Sequence, residues 1–198
     1  MLLKMAAKLS VVEHKAGIKT DGCFRTFSGK KFNILNPTTD MITPEDIARG
    51  LAHKPHYSGF SPMYFSIAEH SLLVCELYDM CNPGDLKGQL QALLHDASEA
   101  YTGDMIKPIK NMLPNFVLIE NKIQSTVYSK YDIDPAERKA KIKEIDNRIQ
   151  DIEADAFYHY EDLNDNDKKV VDKWIKYLSP TDAYYAFWDK YDQLTKSM

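Results

Sequence analysis

Residues 66–104 read SIAEHSLLVCELYDMCNPGDLKGQLQALLHDASEAYTGD, and this stretch decides the fold. Ser66-Ile67-Ala68-Glu69 has the form of a capping box, in which a hydroxyl and an acid three residues on take up free backbone N–H groups at a helix start. Leu73, Val74 and Leu77 follow at helical spacing, and Asn82-Pro83-Gly84 stops the run near Cys81. Asp85 can cap a next helix whose apolar stripe is Leu86, Leu90, Leu93 and Leu94. His95, Asp96, Glu99 and Asp104 then crowd together at the helix end and the turn after it. Because Leu93 and Leu94 lead straight into them, the buried side of the helix delivers an imidazole and a carboxylate inward. Continued helix would place His95 and Asp96 about 100° apart around its axis, so both could reach one point between them.

Outward from this pair the signals remain helical. Thr43-Pro44-Glu45-Asp46 supplies an N-cap, a proline at the first helical position and first-turn acids ahead of Ile47–Ala52. Pro114 starts a helix of roughly four turns, and Asp134-Pro135 starts a longer one reaching about Tyr160. Residues 161–167, EDLNDND, read as a loop, followed by two helices, the second opened by Ser179-Pro180-Thr181-Asp182. Upstream, CFRTFSGKKFNIL (23–35) alternates apolar and polar residues around Ser28-Gly29 and predicts a β-hairpin. Residues 1–20 read as a loosely attached start. The expectation is one domain over 1–198, an all-α bundle helical across 43–195, with a small N-terminal β-hairpin.

The chain of 198 residues is long enough to bury a sizeable core, and 44% hydrophobic with 27% charged residues is ordinary for a globular domain. A net charge of −4 argues against a surface built for nucleic-acid polymers, though not against a small anionic ligand. Cys23, Cys75 and Cys81 form no CxxC pattern and point to a reducing, cytoplasmic setting. No apolar run approaches a membrane span, and MLLKMAAKLS is too short and weakly apolar to read as a signal peptide.

Imidazole and carboxylate side chains on several rigid helices suit a divalent transition metal. His70 lies one turn into its helix, His95 and Asp96 on the next, and Asp146 beside the buried stripe Ile142, Ile145, Ile149 and Ile152. A core-facing histidine is also a common hydrogen-bonded packing residue, and an acid in a Lys/Glu-rich helix commonly faces water. Spacing alone leaves both readings open.

SIAEHS at 66–71, His95-Asp96 twenty-five residues past His70, and a helical Asp fifty residues past Asp96 resemble the HD-domain metal-dependent phosphohydrolases. Within that superfamily, HDASEAYTGDMIKPIK (95–110) is similar to the bacterial 5′-deoxynucleotidases and the phage dATP triphosphohydrolases. The lead-in NILNPTTDMITPEDIARGLA (33–52) resembles the phage and prophage branch, and the likeness spans roughly residues 30–155. It implies an HD-domain helical bundle holding one divalent metal (Zn, Co or Mn, with Mg as a further option) on His70, His95, Asp96 and Asp146. Glu99 matches the family acid that positions or deprotonates water, and Asp104 the acid that protonates the departing O5′. Lys110 matches a phosphate-contacting lysine, Lys107 can assist, and Pro108 matches a proline lining the base pocket. Where the family shows an arginine and an aromatic, this chain has His56-Tyr57; Tyr57 can stack, but His56 lacks the arginine's permanent charge and fork. His53 or Lys54 can substitute.

The implied function is cleavage of a deoxynucleotide's sugar–phosphate ester, foremost a dATP-preferring triphosphohydrolase releasing deoxynucleoside and triphosphate. A 5′-deoxynucleotidase acting on dNMPs, and a non-catalytic nucleotide- or metal-binding module, are the alternatives. The implied partners are a deoxynucleotide and other copies of the chain, with no nucleic-acid polymer and no membrane, in a cytoplasm that is the host's if the gene is phage-borne. Tyr184, Phe187, Trp188 and Tyr191, at helical spacing, read as core or subunit packing, and Cys75 and Cys81 as packing residues. His14 and His159 read as surface residues, and KAKIKE (139–144) as a solvated helix face.

Overall fold

The computed structural model describes residues 22–198; the expectation for residues 1–20, with His14, lies outside them. The described chain is mostly helical with a small two-stranded hairpin at its N-terminal end, the expected fold class. Strands β1 (Cys23–Arg25) and β2 (Lys31–Asn33) pair antiparallel with Phe24 opposite Phe32. Ser28 in the turn donates from both its N–H and its hydroxyl to Asp46, each at 2.7 Å, which clamps the hairpin onto the first helix. Phe32 is fully buried and stacks on Tyr101 with ring centroids 4.1 Å apart.

Helix α1 (Pro44–Ala52) begins as expected, with the Thr43 hydroxyl accepting from the Asp46 N–H. Helix α2 (Ile67–Cys81) lies at the centre of the bundle and packs on α1. Its capping box is half made. Ser66 accepts from the Glu69 N–H, while the Glu69 carboxylate accepts from the backbone N–H groups of Lys176, Tyr177 and Leu178 at 2.8, 2.9 and 2.8 Å. That buried carboxylate ties the last inter-helix connection to the first turn of α2.

Asp85 caps α3 (Leu86–Leu93) as expected, but the helix ends before His95 and Asp96. From here the backbone bonds span three residues, His95 N–H to Ala92 O, Ala97 to Leu94 and Glu99 to Asp96, and the His95 ring holds the Ala92 carbonyl at 2.9 Å. His95 and Asp96 therefore sit in a tight turn rather than on a helix. Two short helices follow that periodicity does not reveal, α4 (Glu99–Thr102) and α5 (Lys107–Met112).

Helix α6 (Pro114–Lys130) starts at its proline. Helix α7 (Lys139–Ala154) starts later than Asp134-Pro135, because the Asp134 carboxylate takes the Ala136 N–H in a turn and Arg138, with φ of −125°, is drawn onto Asp85 at 2.9 and 3.2 Å. Its far end continues through a π-helical turn, Asp155–His159, close to the expected limit. Helix α8 (Asp165–Trp174) begins inside the presumed loop 161–167, where the Asn164 amide oxygen accepts from the Asn166 N–H. Helix α9 (Pro180–Ser197) opens on its Ser179 cap and packs across α1, α2 and α3. Phe187 is fully buried, with Tyr184, Trp188 and Tyr191 against the core, so this stripe packs as expected. Cys75 is buried, but Cys81 is exposed: six residues on, it has turned onto another face of α2. His159 is exposed, and no helix of the described residues is long and apolar enough to cross a membrane.

One close approach sets where α4 lies. A Cβ on Gly50 of α1 would fall 2.6 Å from the Ala100 carbonyl oxygen, next to Glu99. Gly50→Ala should therefore lose about 1–3 kcal/mol of stability in urea unfolding, as overpacked sites do. Unchanged stability would mean that α1 and α4 are not held in this contact.

Candidate metal centre

Three separate elements bring the four residues named from sequence to one point. His70 comes from the first turn of α2, His95 and Asp96 from the turn after α3, and Asp146 from the middle of α7, beside the buried Ile142, Ile145 and Ile149. The His70 Nε2 lies 3.2 Å from an Asp146 oxygen and 3.9 Å from Asp96; the His95 Nε2 lies 3.0 Å from Asp96 and 3.9 Å from Asp146. His70, His95 and Asp146 each offer a ligand atom within 4.8 Å of the others.

The hydrogen bonds of the two rings settle what the point requires. His70 Nδ1 donates to a Glu153 oxygen at 2.7 Å, and His95 Nδ1 donates to the Ala92 carbonyl at 2.9 Å. With the proton on Nδ1, each neutral ring turns its Nε2 lone pair inward, and both Nε2 atoms are buried without a hydrogen bond. Lone pairs thus face carboxylate oxygens, an arrangement that needs a cation or a proton between them. Burial works against protonated imidazoles here, yet the negative charges of Glu153, Asp146 and Asp96 outweigh it and raise His70 and His95, as the imidazoles in turn hold Asp96 and Asp146 low. This donor set could hold a metal ion.

Outer partners hold these ligands in place. Glu153 is fully buried and accepts from both His70 and the Tyr57 hydroxyl. Gln150 donates to the Asp146 oxygen nearest His70 at 2.8 Å, and Lys143 donates to its other oxygen. Lys143 is thus more than part of a solvated helix face. Glu153 and Gln150 were not singled out from sequence, yet Glu153 lies seven residues past Asp146, two turns along the same face of α7.

Glu99 and Asp104 flank the centre on another side. Glu99 is 6% exposed, and burial together with the charges of Asp96 and Asp104 pushes its carboxyl up to about 9. Asp104 goes the other way: burial opposes it, but the His56 ring at 3.1 Å and the Ser58 N–H at 3.3 Å hold it below the usual carboxylate range. Tyr57 and Ser58, with φ of 54° and 52°, sit in the left-handed region that side chains rarely adopt. This strained turn carries the Tyr57 hydroxyl to Glu153 and the Ser58 N–H to Asp104. His56, Glu99 and Asp104 form a further group of potential ligand atoms within 4.8 Å.

Of the residues expected to hold substrate, Lys110 lies between two acids, Glu99 at 3.4 Å and the unanticipated Glu120 at 2.9 Å. Lys107 and Pro108 are exposed at the start of α5. His53 is exposed, and Lys54 donates to the Ala100 carbonyl. A cavity of about 500 Å³, lined by neither Glu99 nor Asp104, is bounded by His95, Asp96 and Asp146 together with residues of α6 and α7.

No protein-family model matches the chain. It is 38% identical over 138 residues to the uncharacterized protein RCAP_rcc00048 of Rhodobacter capsulatus, covering 66% of this chain and 70% of that protein. It is 33% identical over 111 residues to the uncharacterized protein YfdR of Escherichia coli, covering 56% of this chain and 59% of YfdR. The chain belongs to the same family as the Rhodobacter protein.

Because Glu153 fixes which His70 nitrogen faces the centre, Glu153→Ala should lower zinc affinity by about 10–100-fold, as loss of such outer partners does. Competition with a chelating dye measures this, and Glu153→Gln should lie between the variant and the wild type. Wild-type affinity in Glu153→Ala would show that His70 needs no such partner.

Proposed function

We propose that this chain is a metal-dependent phosphohydrolase of the HD-domain kind, cleaving the sugar–phosphate ester of deoxynucleotides. Its foremost substrate in this reading is a deoxynucleoside triphosphate of the dATP class, released as deoxynucleoside and triphosphate. The observation that carries the reading is the convergence of two inward-facing Nε2 atoms with Asp96 and Asp146, flanked by two further carboxylates. A site that only stored a metal would need neither Glu99 nor Asp104.

His70, His95, Asp96 and Asp146 would hold the ion, which when bound would supply Lewis-acid polarisation of a phosphoryl oxygen, a lowered pKa for water and a positive charge favouring ionised Glu99. Glu99 then accepts a proton from the water that attacks phosphorus. The P–O5′ bond breaks, and the His56–Asp104 pair delivers a proton to the departing O5′. Lys110, between Glu99 and Glu120, offsets the charge of both acids. Tyr57, its hydroxyl committed to Glu153, steadies the centre and can offer its ring to the nucleoside. Exposed Ile109 and Met112 on α5, Leu113 between the helices and Leu118 on α6 favour assembly with a second copy.

A hydrolysis screen over deoxy- and ribonucleotides, as mono- and triphosphates with Zn, Co, Mn or Mg, tests this reading. It should find metal-dependent release of triphosphate from deoxynucleoside triphosphates. Glu99→Ala should keep its metal and lose about 10²–10⁴ in rate, the usual cost of removing a general base. No turnover of any nucleotide with any of these metals would overturn the reading; phosphate release confined to monophosphates would select the 5′-deoxynucleotidase.

A further inference from the structure

The phosphate chain has two sides of the metal centre on which to lie, and their charges differ. On the Glu99 side stand three carboxylates, Glu99, Asp104 and Glu120. The cations there are engaged: Lys110 with two of those acids, and Lys54 with the Ala100 carbonyl. A triphosphate tail carrying several negative charges would meet like charge along that wall.

The 500 Å³ cavity is lined by none of these three acids; its only carboxylates are the centre's own Asp96 and Asp146, set beside two lysines, and its size suits a small-molecule site, roughly 300–1,000 Å³. His95, Asp96 and Asp146 form its floor, so a group entering it reaches the metal ligands directly. Lys139 and Lys143, four residues apart on α7, form a cationic wall, with Asn121 of α6 also lining the cavity. The Lys143 ammonium already rests on the outer oxygen of Asp146, beside the metal ligands and towards the cavity. Neither Glu99, Asp104, Lys107 nor Lys110 lines it.

The geometry points to this cavity as the subsite for the polyphosphate tail, with Lys139 and Lys143 receiving the phosphates beyond the one attacked, an inference that rests on the phosphohydrolase reading. Asp104 then stands towards the sugar, and the tail leaves the centre away from the acids. The chain therefore separates triphosphates from monophosphates by these two lysines rather than by Lys107 and Lys110.

The test uses inorganic tripolyphosphate and orthophosphate as probes, titrated calorimetrically into the zinc-loaded wild type, Lys139→Ala and the Lys139→Ala/Lys143→Ala double variant. Zinc content is measured alongside, because Lys143 touches Asp146. If the double variant loses zinc, Lys139→Glu, altered at an exposed position, takes its place. Tripolyphosphate should bind the double variant at least about tenfold more weakly, and Lys139→Ala by a smaller factor, as loss of charge-assisted contacts implies. Orthophosphate should change less than about twofold, since it needs only the ion. In Lys139→Ala, KM for nucleoside triphosphates should rise in parallel while that for monophosphates holds. Equal losses for the two probes, or no loss for either, would overturn the subsite. Hydrolysis with unchanged KM in the lysine variants removes the subsite and leaves the phosphohydrolase standing; absence of hydrolysis in the wild type removes the latter, whatever tripolyphosphate does.

Discussion

Two imidazole lone pairs and two carboxylates, drawn within 4 Å across the middle of a helical bundle, repel one another unless something positive lies between them. That constraint organises the rest of the molecule. The carboxylate of Glu153 fixes the His70 ring, the Ala92 carbonyl fixes the His95 ring, and Gln150 and Lys143 divide the Asp146 oxygens between them. His70, His95 and Asp146 are thus each oriented by hydrogen bonds as well as by packing. The hydrophobic faces of α2 and α7 then hold the ligands at fixed separation.

The flanking acids gain their character from the same crowding. Glu99 is pushed up because it is buried among other acids, and Asp104 is held down because His56 and the strained Tyr57-Ser58 turn supply donors. Two carboxylates a few residues apart in sequence are thus pulled in opposite directions. The split runs opposite to the roles proposed for the two residues, so Glu99 as a base would need a cation at the centre to draw it into its ionised form, and Asp104 would need its proton from the His56 side.

Most of the bundle was legible in the sequence, because its helices begin at side-chain caps whose chemistry is local: Thr43, Ser66, Asp85 and Ser179 each accept from a backbone N–H at their helix start. The departures lie where a distant residue overrides the local signal. Arg138 is drawn to Asp85 and delays α7; Glu69 leaves its capping box for the 176–178 backbone; His95 captures the Ala92 carbonyl and turns the chain out of helix. The four converging residues were legible because each sits on or beside an apolar stripe, and their common point is what the structure adds. Glu153, Glu120 and Lys143 were not, since an acid or lysine in a charged helix looks the same in sequence whether it faces water or a buried partner. The carboxylates around Lys110 were not legible either, because Glu99 on α4 and Glu120 on α6 approach it only in the folded chain.

X-ray absorption at the metal edge of the purified, zinc-loaded chain tests the central claim most directly. The account predicts imidazole scattering from two histidines, with nitrogen and carboxylate oxygen at about 2.0–2.2 Å, and one imidazole fewer in His95→Ala. A spectrum showing oxygen ligands alone, unchanged by that substitution, would contradict it.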